Sequence, residues 1–184
     1  MPTLPAEIWL QILETVDDIE HLWTSVRLVS TMHKSWAETT LRSNLITQTA
    51  ISFSLPRHDP ATGARLYRGY IPSSEVCMRF AGMNEERTHA ILKTSMFILP
   101  GVKFDTFLDA EYLSEQRLNQ ATTLLWFGHS RARGVAVSMP QDVHWDAREG
   151  VWVWNVEWRQ LISAYLKAKA MNRRPISARR SVKR

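Results

Sequence analysis

Histidine is the side chain best suited to proton transfer or metal binding near neutral pH. The six here, His21, His33, His58, His89, His129 and His144, are scattered, with no two standing four apart, and Cys77 is the single thiol. A metal site would need distant residues to converge. No Gly-x-Ser-x-Gly elbow and no glycine-rich phosphate loop is present to anchor a Ser, His and Asp arrangement or a nucleotide. The sequence therefore marks no catalytic centre, metal or cofactor. What the opening residues do offer is apolar contact. Ile8, Ile12 and Val16 form one i, i+4 row, while Trp9, Leu10 and Leu13 fall on other sides of the same helix. One face cannot hold them all. Burying such a side chain contributes roughly 2 kcal/mol, and three short helices bury only part of this surface among themselves, so the excess points to a partner or to the rest of the chain.

The elements that position this surface are legible from local signals. Pro5 followed by Ala6-Glu7 reads as a helix start, with an acid complementing the N-terminal dipole, and the helix runs to about Val16. Asp17-Asp18 supplies a cap for a second helix carrying Ile19, Leu22, Trp23 and Val26. Ser30 caps a third, through Met32, Trp36 and Leu41.

From Leu45 the period changes to two. Ile51, Phe53 and Leu55 alternate with Ser52 and Ser54, and Val135, Val137 and Met139 alternate with Ala136 and Ser138, as in half-buried strands. Asp59-Pro60-Ala61-Thr62-Gly63 and Asp146-Ala147-Arg148-Glu149-Gly150 share one spacing, an Asp to cap the turn and a Gly four residues on for a positive φ, which predicts two hairpins. In the strand after the second, Trp152, Trp154, Val156 and Trp158 fall on one side, expected to be core, and Val151, Val153, Asn155 and Glu157 on the other. Trp145 and Trp23 are the tryptophans expected to be exposed. An aromatic surface for sugar or methyl-lysine is conceivable for this cluster, but strand alternation accounts for three of its members as core.

Leu161, Ile162, Tyr165, Leu166 and Ala168 then form a helical stripe that should pack on the sheet. Glu75–Ala81, His89–Leu99 and Thr122–Phe127 read as strands, and Ser114 caps a short helix to Gln120.

With 45% hydrophobic residues, 22% charged and eight Trp, the composition is that of a globular protein with a real core. The net charge of +5 is not spread over a face. Arg173, Arg174, Arg179, Arg180, Lys183 and Arg184 follow Asn172 with no acid among them, and setting these six aside leaves 17 Lys and Arg against 18 Asp and Glu. The basicity belongs to a tail, which argues against nucleic acid as the main partner of the folded part. No apolar run approaches a membrane span, and neither a disulfide nor a secretory signal is legible. The expectation is an intracellular protein, cytoplasmic or nuclear or both, without membrane contact.

Leu4-Pro5-Ala6-Glu7-Ile8-Trp9-Leu10-Gln11-Ile12-Leu13, then Val16-Asp17-Asp18, Leu22 and Arg27-Leu28-Val29-Ser30, resembles the F-box family, most closely the variant common in fungal proteins. The match covers residues 4 to about 42, less than a quarter of the chain. Many family members carry a Trp shortly after the Val of helix three, where this chain has Met32, with Trp36 later. The remainder looks like a β-rich domain found behind F-boxes in some fungal proteins.

The resemblance implies a three-helix module that docks on a Skp-family adaptor and, through it, a cullin scaffold, with the second domain holding an unknown protein substrate for ubiquitin transfer. The adaptor-facing positions it implies are Leu4, Pro5, Ile8, Ile12, Leu13, Val16, Leu22, Leu28 and Val29. The fold expected is α+β: an F-box-like helical module over 1–44, a β-rich body of antiparallel hairpins with a closing helix over 45–171, and a flexible basic tail over 172–184. The function expected is that of a non-catalytic receptor subunit of a ubiquitin ligase. The alternatives are a binding protein that uses the adaptor outside a ligase, a nucleic-acid-associated factor acting through the tail, and an enzyme with the helices as a cap.

Overall fold

The computed structural model describes residues 4–54, 75–95, 97–99, 102–103, 113–128, 134–139 and 142–173. Three helices come first: α1 (Ala6–Glu14), α2 (Ile19–Thr24) and α3 (Thr31–Thr40), with a 3-10 turn at Val26–Leu28 between the last two. Their boundaries follow local chemistry. The Asp18 carboxylate accepts the His21 N–H at 3.0 Å and the Ser30 hydroxyl accepts that of His33 at 3.2 Å, each satisfying an orphan donor of the first turn. Pro5 stands at the cap position of α1 without a side-chain bond. α3 does not give way to a strand near Leu45 as the period suggests. A π turn (Leu41–Leu45) and a 3-10 turn (Ile46–Gln48) carry the helical path to Gln48, and Leu41 and Ile46 are buried by it.

The body is a seven-stranded antiparallel sheet in the order β7-β6-β1-β2-β3-β9-β8, formed by β1 (Thr49–Ser54), β2 (Glu75–Met83), β3 (His89–Thr94), β6 (Thr122–Phe127), β7 (Val135–Val137), β8 (Val143–Asp146) and β9 (Val151–Glu157). A separate two-stranded pair joins β4 (Phe97–Leu99) to β5 (Val102–Lys103). The strand expected over His89–Leu99 is thus two strands, divided after Thr94. Helix α4 (Glu115–Gln120) begins at the Ser114 cap, and α5 (Trp158–Arg173) closes the described chain. The architecture is α+β, as expected. β1 and β2 are antiparallel partners, but the turn predicted between them at Asp59–Gly63, Leu55, and the tail beyond Arg173 lie outside the described residues.

The second predicted turn forms as its residues dictate. Asp146 accepts the N–H groups of Arg148 and Glu149 through its side chain, and that of Gly150 through its carbonyl, while Gly150 takes a φ of 65°. The exposed Asp146 carboxyl is held below its ordinary range by these backbone N–H groups. Asn119 and Glu115 of α4 accept the N–H groups of Val143 and Trp145, so side chains cover the open edge of β8.

One face of the sheet is the core. Cross-strand neighbours share a face, and the registers align Ile51 with Met78 and Leu125, Phe53 with Val76 and Thr123, and Leu92 with Trp154. The rings of Phe53 and Trp154 lie 5.8 Å apart although β2 and β3 separate their strands. Three strand spacings amount to about 14 Å on a flat sheet, so the sheet curls around this side. Trp152, Trp154 and Val156 of β9 are buried in that concave face, as alternation predicts, and α5 packs over it with Trp158, Leu161, Ile162, Tyr165 and Leu166. Burial extends further than expected. Ser52 is buried although its strand was expected to be half exposed, and Val151 and Val153 are buried on the face expected to be outward.

The buried apolar cluster continues from the sheet into the helices through Leu41, Ile46, Leu22, Trp23 and Leu13. Trp23, expected at the surface, is buried edge-on against Trp158 at 6.1 Å. Trp145 is half-buried against Trp152.

Candidate docking surface

The orientation of α1 is set by its aromatic residue. Trp9 stacks on Trp36 of α3 with ring centres 5.8 Å apart and planes 17° from parallel, and His33 meets both rings edge-on at 5.2 Å. Leu13, one turn after Trp9, is buried. A helix advances about 100° per residue, so directing the half-buried Trp9 toward α3 and Leu13 into the core turns the neighbouring Ile8 and Ile12 outward; both are exposed, as is Leu4 just ahead of the helix. The Met32 and Trp36 pattern has the same cause: Trp36 is taken up by α1, and Met32 is left exposed.

A second group of apolar residues is held open by charge. Glu38 of α3 is almost fully buried and accepts Arg27 Nε at 2.8 Å and Arg159 Nε and Nη2 at 3.0 and 2.8 Å. Burial pushes its carboxyl up, but the hydrogen bonds from Arg159 and Arg27 prevail and hold it below the ordinary glutamate range. Each guanidinium also covers an indole, Arg27 over Trp23 at 4.1 Å and Arg159 over Trp158 at 4.6 Å. This knot fixes the 3-10 turn that carries Arg27 and presents the next two residues to solvent, Leu28 at 75% and Val29 at 67% exposure.

Of the nine positions implied by the resemblance, Leu4, Pro5, Ile8, Ile12, Leu28 and Val29 are exposed and Val16 is half-buried. Leu13 and Leu22 are not at the surface: at 4% and 2% exposure they belong to the core shared with the sheet. The exposed apolar pair on α1 is therefore Ile8 and Ile12, joined by Leu4 just ahead of the helix, while Val16, beyond its end, is half-buried. Sequence reasoning missed Met32 as an exposed apolar residue and Glu38 as the anchor. Glu38 had no local signal, because its partners Arg27 and Arg159 are 11 and 121 residues away.

Among the described residues no group of His, Cys, Asp and Glu is placed to hold a metal ion, and no helix is long and apolar enough to cross a membrane. No family model matches the chain, and no curated protein or solved structure is significantly similar to it.

Proposed function

We propose that this chain is an F-box-type receptor, docking on a Skp-family adaptor through its opening helices and, through that adaptor, on a cullin scaffold, while its body holds a protein target for ubiquitin transfer. The observation that carries the reading is where the exposed apolar side chains fall. Among the described residues seven large hydrophobic side chains are exposed, and six of them, Leu4, Ile8, Ile12, Leu28, Val29 and Met32, lie within the first 32 positions. Five of the six are positions at which the family contacts its adaptor. Covering the surface these five side chains still expose contributes roughly 5 kcal/mol before the cost of association, a central apolar patch to which the surrounding contacts add. On this reading the protein supplies proximity and no chemistry: it raises the effective concentration of a target lysine near the conjugating enzyme.

The test is co-purification of the full chain with a Skp-family adaptor. Wild type should retain the adaptor, and the pairs Ile8→Asp with Ile12→Asp and Leu28→Asp with Val29→Asp should each lose it while keeping the wild-type circular dichroism. Equal retention by all three proteins, or none by wild type, would rule the reading out.

A further inference from the structure

An open groove of about 900 Å³ lies between α5 and the sheet edge at β7, within the size range of ligand clefts, roughly 300 to 1,000 Å³. Ala136, Ser138 and Met139 form the wall on the sheet side. The opposite wall is the outer side of α5, where Ala164 and Ala168 stand one turn apart and leave room for a backbone to approach, with Met171 at the far end. Trp23 and Arg27 of the helical module close the groove. None of Leu4, Ile8, Ile12, Leu28, Val29 and Met32 lines it, so the groove and the adaptor-facing surface are separate.

Two features identify an occupant. The first is charge. Arg27, Arg159 and Lys167 line the groove with Glu157 as the single acid, and the buried Glu38 behind them offsets one of the two arginines. Because Glu38 holds both guanidinium groups through fixed hydrogen bonds, the two cations are oriented before any ligand arrives, which lowers the entropy cost of binding an anion. The second is backbone. β7 ends the sheet, paired with β6 on one side and with no other strand among the described residues, so an extended chain in the groove can hydrogen-bond along its outer edge. Nucleic acid fits less well. Trp23, Met139, Ala164, Ala168 and Met171 make much of the lining apolar, whereas nucleic-acid affinity is built from many phosphate contacts.

We propose that this groove binds an extended acidic segment of a partner protein, its backbone along β7, a carboxylate at Arg27, Arg159 and Lys167, and its apolar side chains on the alanine row of α5.

The probe is a fluorescein-labelled peptide alternating glutamate and valine, titrated with the full chain and followed by anisotropy. Lys167→Glu reverses an exposed charge and should weaken binding roughly tenfold, about the effect of turning one partly exposed attraction into a repulsion. Ser163→Trp, which fills the groove from the exposed side of α5, should weaken it at least as much, and Arg148→Glu, a charge reversal in the β8–β9 turn outside the groove, should leave it unchanged. The proposal is overturned if wild type does not bind the peptide, or if Lys167→Glu and Ser163→Trp both bind as wild type does. It is equally overturned if a lysine and valine peptide, or an oligothymidylate, binds as well as the acidic peptide.

Discussion

Glu38 of α3 and Arg159 of α5, 121 residues apart, are joined by two hydrogen bonds to one carboxylate oxygen, while the other oxygen accepts Arg27. The opening helices are thereby tied to the closing helix at the point where the Trp23 and Trp158 rings meet, and the helices and the sheet share one core. Removing the carboxylate leaves two partly exposed guanidinium groups without their common partner. Glu38→Ala should lower the unfolding free energy by about 2 kcal/mol, less than for a fully buried pair because both arginines reach solvent. Urea denaturation measures this, and a change under 0.5 kcal/mol would show the knot to be ornamental.

The same carboxylate gives stability a pH dependence of defined sign. The pKa of Glu38 is lower in the folded protein than its ordinary value of 4.5, so the unfolded chain takes up a proton at this residue first. Its stabilising contribution is complete above the ordinary value and is lost as pH falls from there through the lowered folded value. Acid titration of stability should therefore fall more steeply below pH 4.5 for wild type than for Glu38→Gln. Parallel curves would assign the acid dependence to other groups.

The two sides of α1 should respond differently to truncation. Leu13→Ala empties a site in the shared core and should cost about 2 to 4 kcal/mol, whereas Ile12→Ala, on the exposed row, should change stability by no more than about 0.5 kcal/mol. Paired thermal and urea unfolding checks both. Similar costs at the two positions would mean that α1 is rotated from the orientation set by Trp9 on Trp36.

Two glycines separate backbone strain from packing. A Cβ at Gly150 or Gly82 meets nothing within 4 Å, but Gly150 has a φ of 65° and Gly82 has no such requirement. Gly150→Ala should destabilise by about 1 kcal/mol through the left-handed conformation alone, and Gly82→Ala should be neutral or stabilise by up to about 1 kcal/mol by restricting the unfolded chain. A cost at Gly82 equal to that at Gly150 would place the penalty elsewhere than in φ.

Arg87 occupies the left-handed region at φ 56°, and its carbonyl accepts Trp158 Nε1 at 3.1 Å, which clips the β2–β3 turn to the start of α5. Arg87→Gly relieves the side-chain strain and should leave stability unchanged or raise it by up to about 1 kcal/mol. Trp158→Phe removes the donor as well as part of a core ring and should cost about 2 kcal/mol or more. Urea unfolding of the two variants checks both signs.

What the sequence determined by itself is what depends on neighbours along the chain. The caps at Asp18, Ser30 and Ser114, the turn from Asp146 to Gly150, the alternation that buries Trp152 and Trp154, and the stripe of α5 each rest on residues within one or two turns of each other, where geometry is fixed by bond rotation and the hydrogen bonds are local. The surplus of apolar residues in the opening helices was also legible, because it is a matter of count and spacing. Tertiary structure alone decided which of those residues stay outside. Leu13 and Leu22 enter the core and Leu28 and Val29 do not, because Trp9 finds Trp36 and Glu38 finds Arg159. It decided as well that Trp23 is covered by Trp158, that Ser52, Val151 and Val153 are buried, and that β1 lies between β2 and β6. These outcomes depend on contacts between separate segments, from 27 residues apart for Trp9 and Trp36 to 121 for Glu38 and Arg159, and periodicity records which side of a strand or helix is apolar but not what comes to rest against it.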